Sequence, residues 1–198
     1  LKASLEAGEV TTVSKINTIA DGTAVQTPGD KLFPYLQANV DHVITVDDSE
    51  LTLSFLDMAE NHKMIVENSG LLTVAALKHL DFKGKKVVSV LSGGNMDVLT
   101  MATVVQNGLM QRDRIFTVSV MLPDKPGQLA AVSSLIAKEQ GNVIKLEHNV
   151  FANVNRTAGV ELTITLESFG TEHKDQIIKA LEAAGYCPVI TKTNGIYM

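Results

Sequence analysis

Lys86-Val87-Val88-Ser89-Val90-Leu91-Ser92-Gly93-Gly94-Asn95 is an apolar run of strand length that stops on a hydroxyl, two glycines and an amide. Val87, Val88, Val90 and Leu91 crowd together without alternation, the pattern of a strand covered on both faces. A helical pattern follows from about Val98. A buried strand turning through glycines into a helix is the local mark of a parallel α/β sheet, where ligands bind beyond the carboxyl ends of the strands.

The residues upstream repeat that alternation. Leu71 to Leu80 reads as an apolar helix with Gly84 in the turn after it, and Met64-Ile65-Val66 as a short buried strand. Asp47, Asp48 and Ser49 offer helix N-caps ahead of Leu51, Phe55, Met58 and Ala59 at helical spacing. His42 to Val46 is a β-branched strand, Lys31 to Val40 a short helix, and Lys2 to Ala7 a helix closed by Gly8. Thr18 to Gly29 is turn-rich, with the breaker pairs Asp21-Gly22 and Pro28-Gly29. Strands separated by helices imply parallel pairing with right-handed crossovers.

Downstream the pattern changes at the charged segment Arg112-Asp113-Arg114. Phe116, Val118, Val120 and Leu122 alternate with Thr117, Ser119 and Met121, and Val160, Leu162, Ile164 and Leu166 alternate with Glu161, Thr163, Thr165 and Glu167. Ile144, Leu146, His148 and Val150 are expected to share a third strand face. Leu129, Val132, Leu135 and Ile136 form one helix stripe; Ile177, Ile178, Leu181 and Ala184 form another, before a last strand at Val189-Ile190. The order β-α-β-β-α-β is the split βαβ, ferredoxin-like arrangement with an antiparallel sheet. The fold class is therefore α/β, with expected domains at residues 1–111 and 112–198.

Composition bounds the function. The chain has 198 residues, 45% hydrophobic and 20% charged, which is ordinary globular usage. A net charge of −5 disfavours nucleic acid or an anionic membrane as partner. Cys187 is the single cysteine, which fits a reducing, cytoplasmic setting. No apolar run approaches bilayer length. The five histidines are scattered without metal-ligand spacing, so no metal site is expected. Asn155-Arg156-Thr157 matches a glycosylation acceptor and reads as plain loop sequence.

On spacing alone the turn at Ser92 has two readings. Its glycines let a ring or phosphate approach the backbone while Ser92 offers a neutral hydroxyl, or Ser92 or Asn95 simply caps the next helix. It lacks the third glycine of a dinucleotide fingerprint and the lysine of a P-loop.

Val88 to Asn95 resembles the cofactor-end strand of the pyridoxal-phosphate threonine and serine dehydratases, which have the tryptophan-synthase-β-like fold, type II. Ile19-Ala20-Asp21-Gly22 resembles their segment near the cofactor ring, and Glu67-Asn68-Ser69-Gly70 stands where they commonly have Glu-Pro-(small)-Gly. Thr45-Val46 before the acidic Asp47-Asp48 fits as well. The resemblance implies a partial type II fold, a parallel sheet with flanking helices, over residues 1–111. It implies pyridoxal 5′-phosphate as cofactor, with Ser92, Gly93, Gly22 and Glu67 as cofactor-binding residues. Ser92 would place its hydroxyl against the pyridine nitrogen, and Gly22 would approach the ring edge. Glu67 has a second reading, a solvated surface carboxylate. Asn68 in place of Pro is one departure. The family's Schiff-base lysine, in a Ser-Phe-Lys-like motif, and its phosphate-cradling glycines are not in this chain. The expectation is a C-terminal portion of such an enzyme, inactive alone.

Asp124-Lys125-Pro126-Gly127-Gln128-Leu129 resembles the first strand-to-helix turn of the ACT regulatory module, with Gly141-Asn142 at its second. The implied effector residues are Asp124, Pro126, Gly127, Gln128, Leu129 and Asn142, taking an amino acid between paired domains; an ordinary βα turn is the other reading. The implied activity is dehydration and deamination of threonine to 2-oxobutanoate and ammonia under amino-acid control, in a homo-oligomer. The alternatives are a non-catalytic amino-acid-binding ACT protein and a serine dehydratase or racemase.

Overall fold

The computed structural model describes residues 1–14, 17–149 and 159–193. Its contacts divide the chain into two units, Leu1–Val105 and Gln106–Met198. The expected boundary was a few residues later, at the charged segment; the division falls inside a helix, α5 (Val98–Gln111).

In the first unit, α1 (Lys2–Ala7) ends at Gly8, whose φ of 76° closes the helix in the left-handed region. α2 (Phe33–Asn39) carries Pro34 in its first turn, where no backbone N–H is needed. α3 (Asp48–Asp57) follows Asp47, whose N–H donates to the Glu50 carboxylate at 3.0 Å, the return half of a capping box. A π turn (Met58–His62) extends it, and Lys63 ends it at φ 56°. The expected helix over Leu71–Leu80 is shorter than its pattern: a 3₁₀ turn (Asn68–Leu71), α4 (Leu72–Ala75) and a second 3₁₀ turn (Ala76–His79). Leu51, Phe55, Met58, Val66, Leu71, Ala75 and Val104 pack into one core with Ala20.

The strands expected in this unit are not formed among the described residues. His42–Val46, Met64–Val66 and Lys86–Leu91 carry no ladder. Val88 is 88% exposed and Val90 67%, the reverse of a strand covered on both faces. A strand exists only where a neighbour supplies its N–H and C=O partners. Here Thr73 on α4 takes that place in part: its hydroxyl donates to the Val90 carbonyl at 3.0 Å, and the Ser89 hydroxyl donates to the Thr73 carbonyl at 3.4 Å.

The second unit follows the expected order. β1 (Ile115–Leu122), α6 (Gln128–Lys138), β2 (Asn142–Asn149), β3 (Val160–Glu167), α7 (Thr171–Ala183) and β4 (Val189–Thr191) build a sheet ordered β2-β3-β1-β4, antiparallel throughout. Val118 lies opposite Ile164 and Val120 opposite Leu162, and these residues meet Val132 and Ile136 of α6 and Ile177 and Leu181 of α7 in a closed core. The other face is hydroxylic: Thr117 and Thr165, opposite each other and buried, join Oγ1 to Oγ1 at 3.0 Å.

One face assignment is corrected. A bulge between Val143 and Lys145 makes Ile144 the extra residue, so Val143 lies opposite Leu166 while Leu146 and His148 lie opposite Ile164 and Leu162, and Ile144, which stays half-buried, is out of step with them. A strict period of two misses an inserted residue. Val150 and the Asn155-Arg156-Thr157 triplet lie outside the described residues.

Candidate functional site

Three segments of the first unit meet at the glycine turn. The Glu67 N–H donates to the Gly93 carbonyl at 3.4 Å, and the Asn95 N–H donates to Glu67 Oε2 at 3.2 Å. Gly93 has φ 82°, and a Cβ there would sit 2.2 Å from the Glu67 carboxyl carbon. A Cβ on Gly70 would lie 1.9 Å from the Ser92 carbonyl oxygen. Both glycines are thus required by close approach, and at Gly93 by backbone conformation as well.

The third segment closes on the same loop. The Asn68 side chain donates from Nδ2 to the Ile19 carbonyl at 3.0 Å, and a Cβ on Gly22 would be 2.9 Å from Ser69 Oγ. Asp48 holds the start of that segment: Thr18 Oγ1 donates to its Oδ1 at 2.5 Å and the Ile19 N–H to its Oδ2 at 3.1 Å. The structure therefore brings Gly22, Glu67 and Gly93 together and leaves Ser92 exposed. Sequence reasoning missed Asp48 and Asn68 as anchors. Asp48 stands among candidate helix caps, and nothing local to it names Thr18 and Ile19 as its partners.

Ser92 and Asn95 do not cap the following helix. Asp97 does, accepting the Leu99 and Thr100 N–H groups on Oδ1 at 2.9 and 3.0 Å. The Thr100 hydroxyl and N–H hold the Asp97 carboxyl below its ordinary range. The capping alternative for the turn is corrected accordingly.

Two polar atoms beside the turn are buried with no partner among the described residues, Ser69 Oγ and Asn68 Oδ1. Orphaned groups of this kind are uncommon in a finished interior. Ser69 and Glu67 pack against the glycine cradle at Gly22 and Gly93, so what this region offers a flat, polar-edged group is the exposed Ser92 hydroxyl and the two orphaned atoms. A groove of about 720 Å³ opens next to this region, lined by Ala20 and Thr23 with Ile44, Thr45 and Leu72; Ser92, Gly93 and Glu67 do not line it.

In the second unit Gly127, at φ 91°, precedes α6, and Asp124, Pro126 and Gly127 are exposed, with Gln128 half-buried and Leu129 at the surface. Asn142 is elsewhere. It opens β2, where its Nδ2 donates to Glu167 Oε2 at 3.1 Å, beside the start of β1, whereas the Asp124–Leu129 turn follows the end of β1. Eight residues of strand separate the two ends, roughly 25 Å at strand rise. The six implied effector residues therefore do not converge within one chain.

Among the described residues no three His, Cys, Asp or Glu side chains cluster as metal ligands would, and no helix is long and apolar enough to cross a membrane.

Residues 1–93 match the family model described as pyridoxal-phosphate dependent enzyme, and residues 116–185 match the ACT domain model. The chain is 36% identical over 192 residues to an L-threonine ammonia-lyase of Geobacter sulfurreducens, covering 96% of this chain and 48% of that protein. It is 34% identical over 185 residues to an L-threonine ammonia-lyase of Thermotoga maritima, covering 93% and 46% respectively. It is 28% identical over 208 residues to a biosynthetic L-threonine dehydratase of Pasteurella multocida, covering 100% of this chain and 39% of that protein. The chain spans about half the length, or less, of these relatives.

Proposed function

We propose, from the match of residues 1–93 to the pyridoxal-phosphate dependent enzyme model and of residues 116–185 to the ACT domain model, that the chain is part of a threonine ammonia-lyase. Residues 1–111 contribute to its catalytic domain and residues 112–198 regulate it. Bound pyridoxal 5′-phosphate supplies an electron sink for elimination. Gly22 and Gly93 would hold the group by close backbone approach, and Ser92 would hold its ring nitrogen. A neutral hydroxyl, unlike a carboxylate, keeps no proton on that nitrogen, so the sink is weak and prompt loss of a β-hydroxyl is favoured over transamination. Overall, threonine gives 2-oxobutanoate and ammonia.

The observation that carries the reading is the interlocked turn. Glu67 and Gly70 grip the segment Ser92–Asn95, and Ser92 remains exposed rather than spent on capping a helix. The second unit, with its own closed core, supports an amino-acid effector bound between two copies, because one copy holds Asp124–Leu129 and Asn142 far apart. That arrangement favours a homo-oligomer, in a reducing cytoplasm that suits the lone Cys187. The same core also favours a second reading, a sensor whose first unit has no catalytic role.

Turnover of threonine and of serine by the full-length protein, with cofactor absorbance recorded, separates the readings. We expect threonine turnover and a cofactor band, none of either from the 198-residue chain alone, and side reactions from Ser92→Asp. Binding of an amino acid without turnover or a cofactor band would establish the sensor.

A further inference from the structure

We propose that Glu67 is a positioning residue, one that sets the conformation of the turn Ser92–Asn95 and acts on the reaction only through the hydroxyl that this turn presents. The inference rests on the reading of the first unit as a cofactor domain. Glu67 sits in extended backbone, φ −63° and ψ 154°, just before the 3₁₀ turn at Asn68. From there it meets the turn three times. Its N–H donates to the Gly93 carbonyl, its Oε2 accepts the Asn95 N–H, and its carboxyl group fills the space that a side chain on residue 93 would need.

The grip determines more than proximity. Gly93 is left-handed, at φ 82°, and the atoms nearest to an added Cβ are those of this carboxyl group. An oxygen accepting a backbone N–H across a glycine turn satisfies a donor that the turn leaves outside any ladder, and so fixes the turn's direction. Beyond the turn, Asp97 independently caps α5, so the segment is held at Ser92 by the close approach of Gly70, at Gly93 and Asn95 by Glu67, and past them by Asp97 at the helix start. Glu67 is half-buried, which sets it apart from a solvated surface carboxylate. What the turn takes from Glu67 is an acceptor oxygen and a volume. Glutamine supplies both without the charge, and alanine supplies neither.

The test compares Glu67→Gln with Glu67→Ala in the full-length protein, with Glu67→Ser replacing the alanine variant should that fail to fold. Hydrogen exchange is read at residues 92–95 without cofactor; cofactor absorbance, kcat and its pH profile are read on the loaded enzyme. We expect exchange of the Asn95 amide to quicken about tenfold or more in Glu67→Ala and by less than about threefold in Glu67→Gln. The cofactor band moves in the alanine variant. The glutamine variant keeps the pH profile of the unaltered enzyme and recovers most of the kcat lost in the alanine variant. Equal losses of kcat in the two variants with a displaced pH limb would mean that the carboxylate touches the reacting atoms, and unaltered exchange in Glu67→Ala would mean that there is no grip; either overturns the proposal. An unaltered enzyme with neither cofactor band nor threonine turnover overturns the ammonia-lyase reading and the catalytic half of this one, whereas the exchange result alone judges the grip.

Discussion

The side-chain amide of Asn68 reaches across forty-nine positions of sequence to the backbone carbonyl of Ile19, with Nδ2 3.0 Å from the oxygen. The bond ties the Ile19–Gly22 segment to the loop that carries Glu67. A proline at residue 68, as the resemblance to the dehydratases implies is usual, has no donor to offer there. The tie also has a cost. Turning Nδ2 toward Ile19 leaves Asn68 Oδ1 buried and unpaired among the described residues.

Those two effects oppose each other in Asn68→Ala. The substitution strands the Ile19 carbonyl but also removes the orphaned oxygen, so the net loss should be modest, about 1 kcal/mol. Urea unfolding of the full-length protein measures it. A loss above about 3 kcal/mol would mean that the Asn68 amide has partners beyond Ile19; a gain in stability would mean that the orphan dominates.

Neighbouring glycines should respond very differently to alanine. Gly93 is left-handed and faces the Glu67 carboxyl group at 2.2 Å from an added Cβ, whereas an added Cβ on Gly94 meets nothing within 4 Å. Gly93→Ala combines roughly 1–2 kcal/mol of backbone strain with a collision that must displace Glu67. Cofactor retention after dialysis, followed by absorbance, should fall sharply for Gly93→Ala and little for Gly94→Ala. Equal retention in both variants would remove the cradle from the site.

How much of this was legible in the chain differs between the units for a physical reason. In the second, strands and covering helices come from one contiguous segment, so the alternation of Val160–Glu167 and the stripe at Val132 and Ile136 suffice to read the sheet and its faces. Ile144 escaped because a bulge inserts a residue without altering composition. In the first unit the glycine end of α1 and the acidic start of α3 were legible, but Val87–Leu91 has a strand's composition and no ladder, since pairing depends on neighbours that a sequence window does not contain. The site was legible as motifs and opaque as geometry. Glu67 and Asn95 are twenty-eight positions apart, and nothing local to either names the other.

The hydroxyl pair inside the second sheet gives a cycle with a clear sign. Thr117 and Thr165 are each about 5–7% exposed and bond to each other at 3.0 Å. Thr165→Val leaves the Thr117 hydroxyl buried without this partner, about 1–3 kcal/mol. Thr117→Val should cost a similar amount. The double variant replaces both with groups of the same shape and should recover most of the loss, leaving a coupling of about 1 kcal/mol or more. Additive losses, read from urea midpoints at constant m, would mean that the hydroxyls act separately.

Asp113 should give the second unit an acid-sensitive step. Its backbone is left-handed, φ 54°, a conformation that aspartate tolerates, and the Ser168 hydroxyl and N–H secure it by donating to the Asp113 and Arg114 carbonyls. Its side chain accepts from Thr171 Oγ1 at 2.8 Å and pairs with Lys174 Nζ at 2.8 Å, joining the segment ahead of β1 to the first turn of α7. Burial pushes the carboxyl up, but the hydrogen bonds from Lys174 and Thr171 and the Lys174 charge outweigh it, so the group lies below its ordinary 3.8. A carboxyl lowered in the folded state binds its proton more readily in the unfolded chain. It therefore stabilises the fold fully above the ordinary value, and that contribution fades as pH falls through the folded one. Asp113→Asn keeps the shape, the backbone preference and an acceptor for Thr171 while removing the charge. At neutral pH it should be less stable by about 1 kcal/mol, the pair being partly exposed, and the difference should close as pH falls below about 4. Urea unfolding across that range would show the two curves converging. A gap of constant size down to pH 2 would mean that the asparagine disturbs the turn by its packing and that the Lys174 pair contributes no pH-dependent stability.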